Sequence, residues 1–122
     1  MVLIVEPSRD LARIMKRAFG RNGIKSVVAH SAQSGVQVAD KHQPKLVILE
    51  LLMSKHNGFE FIHEFKSYPD WFDIPIVIYS DLSAEELAME KGVNEGMDII
   101  QHFYKPTATL AQLIKFAKGV LG

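Results

Sequence analysis

The sequence predicts an α/β domain of the flavodoxin-like (βα)5 type, a three-layer sandwich whose parallel sheet runs in the order 2-1-3-4-5. Three observations lead there. Five short runs rich in β-branched residues, Val2–Val5, Lys25–Ala29, Leu46–Leu49, Ile74–Tyr79 and Ile99–Tyr104, alternate with segments of helical period. Four of these runs are apolar at nearly every position, as strands are when helices cover both faces of a parallel sheet. No linker, repeat or low-complexity stretch interrupts the 122 residues, so residues 1–122 form a single domain. Right-handed crossovers leave few topologies for five such units, and 2-1-3-4-5 is the commonest at this size.

Each element carries its own signals. After the first strand, Ser8 stands where a helix N-cap belongs. Leu11, Ile14, Met15, Ala18 and Phe19 then repeat at helical spacing and define a buried stripe, while Lys16, Arg17 and Arg21 form a solvated face. Asn22-Gly23 is a stop. Ser31 caps the second helix, and Pro44 and Pro75 stand at strand entrances, where a missing N–H does little harm. In the third helix and the loop after it, Phe59, Phe61, Phe65, Tyr68, Trp71 and Phe72 form an aromatic cluster. One helical face cannot hide all of them, so some are expected at the surface as a binding face. Ser83 with Glu86 makes a capping box for the fourth helix, whose pattern over 87–96 is weakened by Gly92 and stopped by Gly96. Thr107 is placed as the cap of the fifth helix, with Leu110, Leu113, Ile114, Ala117 and Leu121 as its apolar stripe.

Composition excludes several functions. Fourteen basic and fourteen acidic side chains cancel, which gives no field for nucleic acid or an anionic membrane. There is no cysteine, hence no disulfide or thiolate–metal site. The first residues turn charged at Glu6, too early for a signal peptide, and no apolar run approaches the ~20 residues that cross a bilayer. A cytoplasmic protein is expected. His30, His42, His56 and His63 show no spacing that builds a zinc site.

In doubly wound sheets, ligands sit beyond the carboxyl ends of the strands. Here that edge gathers Glu6-Pro7, Glu50, Ser80-Asp81 and Lys105-Pro106: carboxylates, a hydroxyl and an ammonium. The segment from Leu46 to Glu60, the fourth-strand run Ile74-Pro75 to Ser80, and Tyr104-Lys105-Pro106 together resemble the response-regulator receiver family, over essentially the whole chain. The resemblance implies a phosphoacceptor position at Glu50, a switch hydroxyl at Ser80, a switch-aromatic position at His102 and a conserved-type lysine at Lys105. It also implies a signalling face on the fourth helix, fifth strand and fifth helix, open to signalling proteins, an output domain of the same chain or a second copy.

The departures from the family pattern are as informative. Receivers carry an aspartate at the acceptor position, acting as a carboxylate nucleophile, and hold Mg²⁺ beside it with two acids after the first strand. Glu50 moves the carboxylate by ~1.5 Å, about one carbon–carbon bond, where a misplacement of ~1 Å can cost about 100-fold in rate. Pro7 replaces one acid of the pair, and Asp81 stands where the family favours a small residue. No cofactor is therefore expected: Mg²⁺ has lost a ligand. An FMN site would need a phosphate cradle that Glu6-Pro7-Ser8-Arg9-Asp10 does not offer. The expectation is an interaction module without catalytic residues, with Glu6 and Asp81 making an acidic pocket around Glu50. Three roles for Glu50 stay open: a stand-in for the phosphorylated state, a structural ion pair with Lys105, or a working acceptor.

Overall fold

A computed structural model describes residues 1–54, 57–89 and 99–122. Strands β1 (Val2–Val5), β2 (Ser26–Ala29), β3 (Leu46–Leu49), β4 (Ile76–Ser80) and β5 (Ile99–Tyr104) form one parallel sheet in the order β2-β1-β3-β4-β5. Helices α1 (Arg9–Arg21), α2 (Ala32–His42), α3 (Gly58–Ser67), α4 (Ala84–Met89) and α5 (Leu110–Leu121) follow the strands in turn. The predicted fold class is the observed one.

Successive side chains of a strand point to opposite faces, and both faces here are dry. Leu3, Val5, Val47, Leu49, Ile76 and Ile78 pack on the α2 and α3 side with Phe61, Ile62 and Phe65. Val2, Ile4, Leu46, Ile48 and Val77 pack on the other side with Met15, Phe19, Leu113 and Ala117 from α1 and α5. This is why β1 and β3 read as unbroken apolar runs: all eight of their residues are buried. No helix among the described residues is long and apolar enough to cross a membrane.

Three local expectations need correction. Ile14 is 54% exposed, and the fully buried residues of α1 are Ala12, Met15 and Phe19; the stripe is turned by a fraction of a turn, with Leu11 and Ala18 at its half-buried margin. The cap of α5 is Thr109, whose side chain accepts from the Gln112 N–H while Gln112 caps back. Thr107 instead belongs to the turn after β5, where its N–H donates to the Tyr104 carbonyl at 3.0 Å. β4 starts at Ile76 rather than Ile74, because the Ile74 N–H closes a turn onto the Trp71 carbonyl at 3.0 Å and Pro75 has no N–H to give. Ser8, Ser31 and the Ser83–Glu86 box cap their helices as the sequence implies. The glycine-weakened stretch of the fourth helix, with Gly92 and Gly96, lies outside the described residues, as does His56.

The β3–α3 connection is held close by Gly58. Its N–H donates to the Leu51 carbonyl at 2.9 Å, and a Cβ there would lie 2.6 Å from Leu51 Cα, a backbone atom that cannot step aside. Gly58→Ala is therefore expected to lower the unfolding free energy by about 1–3 kcal/mol. Gly119→Ala in α5, where an added Cβ meets nothing within 4 Å, should raise it by up to about 1 kcal/mol. Urea unfolding of the two variants checks both signs.

Candidate functional site

β1, β3, β4 and β5 end at one edge, and their parallel registers bring Glu6, Glu50, Ser80 and Lys105 together there. Glu6 and Glu50 are each 3% exposed and Ser80 is fully buried. A buried carboxylate needs hydrogen-bond donors or it costs several kcal/mol, and each one here has them. The Lys105 Nζ donates to Glu6 Oε1 at 2.6 Å and to Glu50 Oε1 at 2.8 Å. Glu6 Oε2 accepts from the Ser8 N–H at 2.9 Å.

Glu50 accepts at all four of its lone-pair positions. Oε1 takes Lys105 and the Asp81 N–H at 3.1 Å; Oε2 takes the Leu52 N–H at 2.9 Å and the Ser80 hydroxyl. Ser80 in turn accepts from the Leu82 N–H at 2.9 Å. Burial pushes the Glu50 carboxyl up, but the Leu52 N–H, Lys105 and Ser80 outweigh it, so the group lies below the usual 4.5. Burial likewise pulls the Lys105 ammonium down, and its bonds to Glu50 and Glu6 lift it above the usual 10.5. Lys105 is further fixed by its own backbone N–H, which donates to the Ser80 carbonyl at 2.8 Å, and by the Tyr79 ring 5.6 Å from its Nζ.

Two residues read as part of this site stand apart from the cluster. The Asp81 carboxylate is 61% exposed and 3.9 Å from Lys105, so it lies at the rim rather than in an enclosed acidic pocket; its backbone N–H is the part that reaches Glu50. His102 lies on β5 with its Nε2 2.8 Å from the Leu82 carbonyl, one residue-step away from Ser80 through Leu82. Sequence reasoning missed the backbone donors of Ser8, Leu52 and Asp81, which have no side-chain signature. It also missed the role of His30, whose Nδ1 lies 3.1 Å from the Glu6 carbonyl.

The response regulator receiver domain model matches residues 2–115. The chain belongs to this family. Relatives of this receiver domain include the KDP operon transcriptional regulatory protein KdpE of Escherichia coli, 29% identical over 77% of the chain and 42% of that protein. Response regulator MprA of Mycobacterium ulcerans is 25% identical over 98% of the chain and 49% of its own length. The chain thus spans about half the length of such relatives. The chemotaxis protein CheY4 of Vibrio cholerae shares the fold, with a TM-score of 0.83 at 20% identity over 98% of this chain and 96% of its own.

Mg²⁺, which the family implies, requires near-octahedral oxygen ligands with free lone pairs. Every lone-pair position of the Glu50 carboxylate is engaged, each Glu6 oxygen already accepts one bond, Pro7 offers no side-chain oxygen, and an ammonium lies between the carboxylates. Among the described residues no three acidic or histidine side chains cluster to hold a metal. The residues present in this receiver domain do not fit the ion.

Lys105→Met is expected to destabilise the domain by about 2–4 kcal/mol, since it leaves two buried carboxylates facing each other. Glu50→Gln in that background should restore part of the loss, and a double-mutant cycle with no coupling would contradict the arrangement. A pH series adds a signed test. Glu50 is depressed on folding, so its contribution is present above the usual 4.5 and fades as pH falls through its lower folded value. The stability gap between wild type and Glu50→Gln should shrink on acidification below that point. Lys105 is raised, so its contribution is full below 10.5 and is lost only as pH climbs through its higher folded value.

Proposed function

We propose that this receiver domain works without phosphorylation, as a protein-interaction module in which the Glu50 carboxylate occupies the place a phosphorylated acceptor would take. The observation that carries the reading is the complete set of four donors on Glu50, two from side chains and two from backbone. A carboxylate so engaged has no lone pair free to attack a phosphodonor, and its charge-assisted bonds already draw in Ser80 and Lys105. The extra methylene of glutamate, about 1.5 Å, carries the carboxylate forward to these donors. With no nucleophile and no metal, the reading leaves nothing to turn over, and the domain acts by binding.

The proposed contact face is built on β5 and α5 together with the fourth helix. Ile100 is 44% exposed on β5. On the same strand Phe103, with Phe116 and Val120 of α5, lines a hollow of about 630 Å³ bordered by Gln101 and Lys115. An apolar floor with a polar rim is the anatomy of a protein interface. Ser80 connects to this edge through Leu82 and His102, so the state of Glu50 is set next to the strand that partners would touch.

Incubation with acetyl phosphate and Mg²⁺ should leave the intact mass unchanged. Glu50→Asp alone should gain nothing, because Pro7 still withholds a ligand, whereas Glu50→Asp with Pro7→Asp should recover Mg²⁺ binding by calorimetry. A one-phosphate adduct on Glu50 of the wild-type chain would overturn the proposal in favour of a working acceptor.

A further inference from the structure

A second recess lies beside the entrances of β3 and β4, at the opposite edge of the sheet from the Glu50 cluster, and the site already described does not use it. It is a groove of about 640 Å³ between the C-terminal ends of α2 and α3, lined among others by Asp40, Gln43, Pro44, Tyr68, Asp70 and Trp71. Asp40 and Asp70 are the only charged residues in its lining.

Two features of the groove favour a cationic ligand, and a third lowers the cost of binding it. The two carboxylates are exposed, on opposite walls. Tyr68, 39% exposed, packs at a 53° tilt against Trp71 with ring centroids 4.7 Å apart, offering an aromatic surface of the kind that attracts guanidinium and ammonium groups. Finally, the aromatic wall is already ordered. The Trp71 and Phe72 N–H groups donate to the Tyr68 carbonyl at 3.0 and 3.1 Å, and the Lys66 ammonium ties down the Phe72 and Ile74 carbonyls. A preformed wall lowers the ordering cost of binding.

We propose that this groove is a second docking site, for a basic segment of a partner protein: an arginine or lysine held between Asp40 and Asp70, with its stem or a neighbouring apolar residue against Tyr68 and Trp71. Charge complementarity with the two lining carboxylates favours that occupant over an acidic peptide or nucleic acid. The proposal does not depend on how Glu50 behaves, so the two stand or fall separately.

Trp71 is the only tryptophan of the chain, which makes the groove directly observable. Titration of the folded domain with capped tetra-arginine should shift the single indole N–H resonance of Trp71 saturably, together with the amides of Gln43 and Asp70. The apparent affinity should fall about tenfold in Asp40→Asn/Asp70→Asn and weaken at about 0.5 M salt, and capped tetraglutamate should produce no such shift. Both aspartates are exposed, so the double variant should keep the wild-type melting curve. Shifts confined to the Glu6 and Glu50 edge, a response that does not saturate, or an unchanged affinity in the double variant would each overturn the proposal.

Discussion

The Lys105 ammonium lies between two carboxylates that the sheet keeps almost wholly out of water, and the rest of the site is arranged around that contact. Two buried anions side by side would be strongly unfavourable. One cation shared at 2.6 and 2.8 Å offsets their repulsion, and backbone N–H groups from Ser8, Leu52 and Asp81 satisfy most of the remaining lone pairs. Because Glu6 follows β1, Glu50 follows β3, Ser80 ends β4 and Lys105 follows β5, this one network ties together four of the five strands at the edge where the family carries out its chemistry.

On the function proposed above, the same network is what would set this receiver domain apart from phosphorylated members of its family. A nucleophile needs a free lone pair, and the four lone-pair positions of Glu50 are taken up by donors of this chain. Glutamate in place of aspartate both lengthens the reach of the carboxylate and commits it to Ser80. Pro7 fits with this: the position has no ligand to contribute, and the Glu6 carboxylate next to it turns to Lys105 and the Ser8 N–H instead.

Much of the fold was legible because burial on both faces leaves an unmistakable pattern. Val2–Val5 and Leu46–Leu49 are apolar throughout, and only a sheet sandwiched between helices asks for that. The end of a strand also fixes where a side chain emerges, which is how Glu6, Glu50, Ser80 and Lys105 were readable as neighbours. What escaped was whatever depends on helix rotation or on backbone. Ala12 and Ile14 lie on nearly opposite sides of α1, flanking Met15 and Phe19, and hydrophobicity alone favoured the larger residue. Thr107 and Thr109 are both good caps, and the choice between them was made by the turn that Tyr104 and Ala108 close, with Gln112 placed to reciprocate for Thr109 only. Asp81 is legible in the sequence only as a carboxylate, whereas the group that reaches Glu50 is its backbone N–H.

Glu50 stands at the centre of the site as a fully engaged, ionised carboxylate. The most direct measurement is an NMR titration of the Glu50 side-chain carboxyl carbon in the folded protein. The structure predicts a midpoint below the usual 4.5, rising when Lys105 is replaced by methionine. A midpoint at or above 4.5 in the wild-type chain, unmoved by that replacement, would mean that the carboxylate is not held by these donors and that the site is not the one described.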